Sequence, residues 1–247
     1  MKSEVEMSVF EWMYKRPIAH RGYFNETAPE NSIKSFQNAI DRSFAIEMDV
    51  QLLKDGTLVV FHDDHLKRMT GLDKFLNEVN YNEIKHLTLL STDEKIPTFK
   101  EFLDYIDGQI PLVIEFKNES RSNILEEKAY QLLQSYKGDF AVQSFNPLSI
   151  YWFKKHAPHV VRGQLSYDYK NKNISHTGKW ILRNVYSNLM TKPHYVMYSI
   201  NSLDSKVIRR LKKSNMPLFS YTAKNKNDYD YAKSLNIPAC FEGFDPE

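Results

Sequence analysis

Cysteine and glycine are scarce in this sequence of 247 residues. Cys240 is the single cysteine, which excludes a disulfide within the chain. Only eight glycines occur, and no glycine-rich phosphate loop follows an early strand. A doubly wound open sheet that binds a nucleotide would need such a loop. The shortage of glycine therefore disfavours that fold, although it stays the main rival to the one argued below.

The sequence also lacks a strong charge excess and any long apolar run. The 33 basic and 31 acidic residues leave a net charge of +2, which argues against a dedicated nucleic-acid-binding protein or a nuclease. No apolar run approaches the roughly 18 residues of a membrane span. The N-terminal segment "MKSEVEMSVF" has no signal-peptide core. We therefore expect a soluble cytoplasmic protein without a stable membrane span, and the sequence leaves a homo-oligomer open.

Short apolar segments alternate with amphipathic, helix-like segments along the chain. Eight such segments read as strands: 17–20, 44–50, 111–117, 140–145, 160–165, 195–200, 217–222 and 238–243. Continuous apolar strands that alternate with helices are typical of a parallel sheet covered by helices. Eight units in about 250 residues predict an α/β fold, the (β/α)8 TIM barrel, as one domain over residues 1–247.

A β-hairpin interrupts the alternation after the second strand. Asp55-Gly56 lies between two β-rich runs, and this dipeptide is typical of a two-residue hairpin turn. With that turn, facing residue numbers add up to 111, which predicts that Asp49 lies opposite His62. The polar residues from about 64 to 96 follow as a small inserted subdomain.

Three carboxylates are expected to lie together at the ends of neighbouring strands. Glu47 and Asp49 are two residues apart on a strand and so point to one face. Glu115 lies near the end of the next strand of the alternating series and can supply a third oxygen. Adjacent carboxylates repel each other unless a cation neutralises them. The alternatives are ion pairs with Lys or Arg and a hard divalent cation, which prefers oxygen ligands.

Basic side chains end the same strands. His20 and Arg21 close the first strand, His62 follows the hairpin, and Lys117 shares a face with Glu115. An arginine can donate two hydrogen bonds to a phosphate, and a pair of histidines can act as acid and base near neutral pH. The set therefore indicates phosphoryl transfer or phosphodiester cleavage. Asn31 is expected to cap the helix that begins at Ser32, with a position facing the site as the alternative.

These segments resemble the glycerophosphodiester phosphodiesterase family over nearly the whole chain. The similar segments are "AHRGYFNETAPENSIKSFQNAI", "IEMDVQLLKDGTLVVFHDDHLKRMTG", "IPTFKEFLDYI", "LVIEFK" and "VQSFNP". The resemblance implies a TIM barrel and hydrolysis of glycerophosphodiesters to glycerol 3-phosphate and an alcohol. It implies one Ca²⁺ or Mg²⁺ ion on Glu47, Asp49 and Glu115, with His20 and His62 as general acid and base. Which histidine is the acid is left open.

Two segments depart from the family pattern at the expected substrate mouth. "SYTAKN" replaces the usual Trp-Thr-Val-Asn of the seventh strand, with Tyr221 in the place of the tryptophan, and "FEGFDPE" replaces the C-terminal Thr-Asp-x-Pro. Residues 170–194 are long for one barrel connection, and we expect an amphipathic helix there that carries Trp180, Ile181, Val185 and Leu189. This helix would pack on the sheet, or serve as a lid or membrane-surface contact. Alternative functions are a lysophospholipase D-like or cyclising enzyme and a non-catalytic barrel that binds a phosphodiester.

Overall fold

A computed structural model describes residues 10–247 of the chain. Nine strands occur in this part: β1 Ile18–His20, β2 Ala45–Leu52, β3 Leu58–Val60, β4 Leu112–Phe116, β5 Phe140–Ser144, β6 Val161–Ser166, β7 Tyr195–Ser199, β8 Leu218–Ala223 and β9 Ala239–Phe241. The eight strands expected from the apolar segments are all present, within one or two residues of the predicted bounds.

The helices of residues 10–247 lie between these strands. They are α1 Trp12–Lys15, α2 Ile33–Asp41, α3 Lys67–Thr70, α4 Tyr81–Ile84, α5 Phe99–Ile106, α6 Ile124–Leu133, α7 Pro147–His156, α8 His176–Arg183, α9 Asn188–Thr191, α10 Lys206–Lys213 and α11 Lys226–Ser234. Two short 3₁₀ turns cover Leu76–Glu78 and Ile200–Ser202.

The sheet has the order β1-β9-β8-β7-β6-β5-β4-β2-β3, and β1 also pairs with β2. The closure leaves β3 outside as a hairpin strand, so the other eight strands form the predicted (β/α)8 barrel. Strands β2 and β4 are almost completely buried along their length. This burial explains why they read as nearly continuous apolar runs in the sequence.

Contacts divide the chain into two compact units. Residues 19–140 hold β2, β3, β4 and helices α2–α6, with Phe36 and Phe102 packed edge to face in their core. Residues 10–18 form the other unit together with residues 141–247, which hold strands β6–β9 and helices α7–α11. All the predicted site residues except Tyr221 lie in the unit of residues 19–140.

The β2–β3 hairpin differs from its prediction by one residue. Val50 pairs with Val60 and Leu52 with Leu58, so facing residue numbers add up to 110 rather than 111. The Gly56 amide donates to the Leu53 carbonyl, and Gly56 takes a φ of +82°. The loop is therefore a three-residue turn with glycine at its left-handed position, not a two-residue Asp-Gly turn. The extra residue places Phe61, not His62, across from Asp49, whose carbonyl accepts the Phe61 amide.

The segment that follows the hairpin builds a small core of its own. It contains α3, α4 and the 3₁₀ turn at Leu76–Glu78. The segment is held by a cluster of buried side chains: Leu53, Val59, Phe61, Leu66, Met69, Leu76, Val79, Ile84, Leu89 and Ile96. The insertion thus packs against the hairpin, which explains how a polar segment with little periodicity adopts a defined structure.

The single amphipathic helix expected within residues 170–194 is two short helices. Helix α8 ends at Arg183, and Val185 takes a φ of +48°, which interrupts the helical path before α9 begins at Asn188. Val185 is buried, whereas Trp180, Ile181 and Leu189 are exposed. The expectation that this helix packs on the sheet through all four residues is therefore wrong for three of them.

Within residues 10–247, no helix is long and apolar enough to cross a membrane. The segment from which we inferred the lack of a signal peptide lies almost wholly outside the described residues. The cytoplasmic location stays a prediction.

Candidate active site

Three buried carboxylates form the centre of the site. Asp49 on β2 pairs directly with Glu115 on the neighbouring strand β4. Glu47 lies two residues before Asp49, so it points to the same face of β2. The three side chains are almost completely buried. One oxygen of each lies within 4.8 Å of the others. The structure therefore brings together the three predicted metal ligands.

Burial and mutual repulsion perturb the ionisation of this cluster. Burial, together with the charges of Asp49 and Glu115, raises the pKa of Glu47 well above its usual value. Burial also raises the pKa of Glu115, against the opposing charge of Lys117. Burial pushes the pKa of Asp49 upward too, but Lys117, His62 and Arg21 together hold it below its usual value. Because burial and mutual repulsion raise the pKa of two of the three carboxylates, added positive charge would stabilise the ionised cluster.

The donor set fits a hard divalent cation. Asp49 Oδ1 is buried and has no hydrogen-bond partner, although buried polar atoms are normally satisfied. Lys117 Nζ approaches it only to 3.7 Å. Three carboxylates with an unsatisfied oxygen are the ligand type that Ca²⁺ and Mg²⁺ prefer.

His20 and Arg21 lie where β1 turns into the following loop. His20 Nε2 is 3.9 Å from Glu47 Oε2. The Arg21 amide donates to the same oxygen at 3.1 Å, and Arg21 takes a φ of +57°. Gly22 follows with a φ of +80°, and a Cβ there would lie 2.4 Å from Ser35 Oγ. Glycine is therefore required beside helix α2, and the tight corner turns Arg21 toward the carboxylates.

The Arg21 guanidinium is shared between two acidic residues. Its Nη1 lies 2.7 Å from Glu30 Oε1, and its Nε lies 3.6 Å from Asp49 Oδ2. Burial lowers the pKa of Arg21, but Asp49, Glu30 and Glu47 more than compensate and raise it. Nε is buried and donates no hydrogen bond within the protein. Arg21 therefore keeps an unused N–H beside Asp49.

Lys117 lies at the end of β4 against the carboxylates. Its Nζ is 3.1 Å from Glu115 Oε1. Burial alone would lower the pKa of Lys117, but Glu115 and Asp49 raise it well above its usual range. The ammonium group stays charged at any physiological pH and offers positive charge beside the cluster.

The His62 ring is held by Asp63. His62 Nδ1 lies 2.8 Å from Asp63 Oδ1. Hydrogen bonds from Arg68 and His62 bring the pKa of Asp63 to about 2, despite partial burial. An ionised carboxylate only accepts hydrogen bonds, so the neutral His62 ring carries its proton on Nδ1 and leaves Nε2 free of a proton. Burial and the charges of Lys117 and Arg21 lower the pKa of His62, against Asp49 and Asp63.

Arg68 links Asp63 to the Arg21 corner. Its Nε donates to Asp63 Oδ2 at 2.5 Å, and its Nη1 donates to Glu30 Oε2 at 2.9 Å. Glu30 also binds Arg21, as described above, so one chain of ion pairs joins the two loops that carry the histidines. Glu30, His62 and Asp63 are close enough to hold a metal ion, but the two arginines already neutralise this group.

Sequence reasoning missed Asp63, Arg68, Glu30 and Gln51 as supports of the site. Gln51 Nε2 donates to the carbonyls of Phe61, His62 and Asp63 at 2.9–3.1 Å. One amide thus fixes the backbone that carries His62. The alternation that places Glu47 and Asp49 on one face of β2 continues to Gln51, and this signal could have identified the glutamine.

Asn31 does not cap helix α2, contrary to the prediction. Ser32 is the cap, and its side chain accepts the Ser35 amide. Asn31 takes a φ of +56° and its Nδ2 donates to Asp49 Oδ2 at 2.9 Å. Asn31 therefore faces the site, as the alternative prediction had it, and orients the Asp49 carboxylate.

Tyr221 lies on β8, in the unit that contains residues 141–247. Its hydroxyl donates to the Ser166 carbonyl at 3.0 Å, and its ring packs edge to face on Phe145. Both partners lie at or just beyond the carboxyl ends of their strands, where barrel enzymes build their active sites.

Comparison with known proteins identifies relatives of the whole chain. The sequence model of the glycerophosphoryl diester phosphodiesterase family matches residues 20–241. A glycerophosphodiester phosphodiesterase of Caldanaerobacter subterraneus subsp. tengcongensis is 31% identical over 227 residues, which cover 86% of this chain and 87% of the relative. The Bacillus subtilis glycerophosphodiester phosphodiesterase is 26% identical over 251 residues, covering 92% and 83%.

Solved structures share the fold. A phosphodiesterase of Oleispira antarctica, solved in complex with the product sn-glycerol-3-phosphate, superposes with a TM-score of 0.81 at 22% identity, over 95% of this chain and 94% of that one. A Thermotoga maritima glycerophosphodiester phosphodiesterase gives a TM-score of 0.69 at 23% identity, over 92% and 94%.

Proposed function

Because this chain belongs to the glycerophosphoryl diester phosphodiesterase family and is an enzyme of that family, we propose that it cleaves glycerophosphodiesters to glycerol 3-phosphate and an alcohol at the cluster around Glu47, Asp49 and Glu115. The observation that carries the proposal is a cluster of three buried carboxylates, each with one oxygen within 4.8 Å of the others. Arg21, Lys117 and two histidines flank this cluster. The Oleispira antarctica relative, which was solved with sn-glycerol-3-phosphate, supports the same product class.

Glu47, Asp49 and Glu115 would hold one divalent cation, Ca²⁺ or Mg²⁺. Such an ion supplies positive charge that neutralises the carboxylates and polarises a phosphoryl oxygen. The buried, unsatisfied Asp49 Oδ1 supports this assignment. Asn31 would keep the Asp49 carboxylate in place through its bond to Oδ2.

Arg21 and Lys117 bind the phosphate in this proposal. Both cations stay charged, and Arg21 Nε still has a hydrogen bond to donate. Donors already fixed by surrounding protein groups stabilise charge that develops in a transition state without further reorganisation. Tyr221 would contact the alcohol part of the substrate.

His62 acts as the general base and His20 as the general acid. Ionised Asp63 keeps the proton of neutral His62 on Nδ1, so Nε2 can accept a proton from the substrate. The hydroxyl of glycerol next to the phosphoester attacks phosphorus and gives its proton to His62. The bond to the leaving alcohol breaks, and its oxygen takes a proton from His20. Water then opens the resulting cyclic phosphate, with both proton transfers reversed.

Attack by the neighbouring hydroxyl is favoured over attack by water because the hydroxyl is already tethered. In well-oriented systems, tethering of this kind gives effective concentrations of about 10⁵–10⁸ M. A substrate without that hydroxyl tests the route. Cleavage as fast as that of glycerophosphocholine would replace the cyclic phosphate by direct attack of water.

Residues 1–247 form one catalytic domain in this proposal, with residues 64–96 as its insertion. The family match supports this reading because it runs from residue 20 to residue 241, across both compact units.

The test of the function is product release from a panel of glycerophosphodiesters. The panel includes glycerophosphocholine, glycerophosphoethanolamine and a lysophospholipid. We expect glycerol 3-phosphate and the free alcohol from the water-soluble members. Free phosphocholine with glycerol as its partner product would contradict the proposal, because the other phosphoester bond would then have been broken.

A further inference from the structure

The connection between β6 and β7 presents a patch of apolar side chains to solvent. The patch consists of Trp180, Ile181, Tyr186, Leu189 and Met190, all of them exposed. Leu189 is 84% exposed and Trp180 is 52% exposed. These five side chains fall within eleven residues of α8, α9 and the turn between them. Single exposed apolar residues are ordinary, but a contiguous group usually marks a contact surface.

The backbone under the apolar patch is firmly anchored. Ser166 Oγ donates to the Leu182 carbonyl at 2.8 Å, and the Tyr198 hydroxyl donates to the Arg183 carbonyl at 3.0 Å. Val185 between the two helices is buried. The fold therefore fixes this segment at the ends of β6 and β7 while it leaves the apolar side chains outside.

The aromatic members of the patch are ordered by contacts with each other. The ring centroids of Trp180 and Tyr186 are 4.6 Å apart, and the Arg210 guanidinium lies 4.8 Å from the centre of the Tyr186 ring. Tryptophan and tyrosine with nearby arginine are typical of a membrane–water interface, where each ring has one apolar and one polar side.

Positive charge is concentrated in the segment of the chain that carries the apolar patch. Residues 167–192 contain five basic residues and one acidic residue, a net charge of +4. The whole chain carries +2, so the remaining residues sum to −2. The basic residues of the segment are Lys170, Lys172, Lys179, Arg183 and Lys192. The nearly even charge balance of the whole chain therefore includes one strongly basic segment.

We propose that the apolar patch docks on the surface of an anionic phospholipid bilayer. Trp180 and Tyr186 would lie at the level of the headgroups, and Leu189 would reach the acyl boundary. Lys170 already pairs with Asp168 at 3.2 Å, and the other four basic residues would pair with anionic lipids, each worth roughly a fivefold gain in binding. A second copy of the chain is a poorer partner, because two such surfaces face to face would oppose charges of +4.

The anionic bilayer surface would meet the protein beside its proposed substrate mouth. Tyr221 donates to the carbonyl of Ser166, the residue whose side chain anchors α8. Docking through the patch would therefore bring the strand ends near Tyr221 close to lipid-derived phosphodiesters. Binding to the bilayer goes beyond the proposed hydrolysis and can be measured without turnover.

Co-sedimentation of the full chain with vesicles tests the proposal. We expect binding to vesicles of phosphatidylcholine and phosphatidylglycerol, and little binding to phosphatidylcholine alone. Trp180→Ser and Leu189→Ser should each lower the partition coefficient about tenfold or more, because each removes a large apolar side chain from the interface. Arg183→Glu should lower it about tenfold or more, and added salt should weaken binding.

Matched variants in the other unit serve as controls. Leu90 is 52% exposed and has a φ of +52°, which asparagine tolerates well, so Leu90→Asn removes an exposed leucine elsewhere. Lys85→Glu reverses an exposed charge. Both should bind vesicles like the wild type, and all the patch variants should cleave glycerophosphocholine in solution at the wild-type rate.

Three results would overturn the proposal. They are equal binding of the wild type to neutral and anionic vesicles, patch variants that bind as well as the wild type, and a loss of binding in Leu90→Asn as large as in Leu189→Ser. Sedimentation velocity tests the alternative that a second copy of the chain covers the patch. If Leu189→Ser converts a dimer to a monomer and the wild type does not bind vesicles, the patch is a self-association surface.

Discussion

Asp63 is the residue on which the orientation of His62 depends. Its carboxylate holds His62 Nδ1, and Arg68 holds the carboxylate in turn through two of its nitrogens. Asp63 touches no reacting atom in the proposed chemistry, so it is a positioning residue. Its effect should be visible in proton transfer rather than in substrate binding.

Asp63→Asn should lower kcat on the order of 10²-fold and leave KM nearly unchanged, because His62 loses the partner that fixes its tautomer. The acidic limb of the pH–rate profile should also move. Asp63 raises the pKa of His62, so its loss lowers that pKa further and the base stays unprotonated to lower pH. Rates measured from pH 4.5 to 9 check both effects.

Asp73→Asn is the matched control for the Asp63 variant. Asp73 also pairs with a histidine, His65, but it is exposed in the insertion. It should keep the wild-type rate and profile. An Asp63→Asn enzyme with raised KM, unchanged kcat and an unshifted acidic limb would show that Asp63 does not act through His62.

Glu115→Gln should weaken metal binding and hydrolysis together. The substitution keeps the shape of the side chain but removes one of three charges that would face the cation. We expect at least a tenfold loss of Ca²⁺ or Mg²⁺ affinity by titration calorimetry, with a parallel loss of activity at limiting metal. Glu127→Gln changes an exposed glutamate of α6 and should leave both unchanged. Full affinity and activity in Glu115→Gln would remove Glu115 from the ligand set.

At the level of single residues, the sequence was sufficient to predict the side chains that reach the site from strand ends. It was not sufficient to predict the side chains that support the site by contacting other side chains. Glu47, Asp49 and Glu115 follow from strand alternation. The link from Arg68 to Glu30 spans 38 residues, and no local pattern indicates it. Asn31 was misassigned because asparagine and Ser32 are both common helix caps, and only the structure shows which one accepts the Ser35 amide.

At the level of elements, the β2–β3 hairpin shows how one turn residue changes a register. The Asp-Gly pair correctly indicated a hairpin, but Gly56 occupies the left-handed position at the end of a three-residue loop. Asp55 contributes through its side chain, which accepts the amides of Thr57 and Tyr81. Since a two-residue turn and a three-residue turn both suit the Asp-Gly dipeptide, the sequence could not decide whether facing residue numbers add up to 110 or to 111.

Gly56→Val should reduce both stability and turnover. The φ of +82° is costly for a β-branched residue, and a Cβ there would lie 2.8 Å from Lys128 Nζ. A loss of about 1–3 kcal/mol of unfolding free energy is expected, together with a lower kcat because the hairpin leads into His62. Urea unfolding and steady-state kinetics measure the two.

Gly108→Val separates these effects. Gly108 has a similar φ of +74°, the atoms nearest to an added Cβ would be 3.4 Å away on Gly138, and it precedes the amino end of β4, away from the strand ends that carry the site. It should cost stability without the same fall in kcat. If both variants lower kcat equally at matched stability, the hairpin has no particular role in placing His62.

Helical periodicity predicted one helix for the segment from α8 to α9, and this prediction was wrong. Apolar residues at Trp180, Ile181, Val185 and Leu189 fit one amphipathic helix, but Val185 adopts a left-handed conformation. The break turns only Val185 inward. A pattern of period 3.6 cannot show such a break, since the spacing of residues carries no information on one backbone angle.

For the molecule as a whole, the alternation of strands and helices was sufficient to predict the barrel. The eight predicted strands are those that close the sheet, because buried parallel strands need continuous apolar runs. The overall charge was less informative. A net charge of +2 describes neither the acidic cluster of the site nor the basic segment around α8.

The most direct test of the account is the release of glycerol 3-phosphate from glycerophosphocholine by the purified chain, before and after treatment with EDTA and after Ca²⁺ or Mg²⁺ is restored. The account predicts hydrolysis that EDTA abolishes and that one of the two cations restores, with no recovery in a Glu47→Gln, Asp49→Asn double variant. Undiminished hydrolysis in EDTA, or full recovery in the double variant, would contradict it.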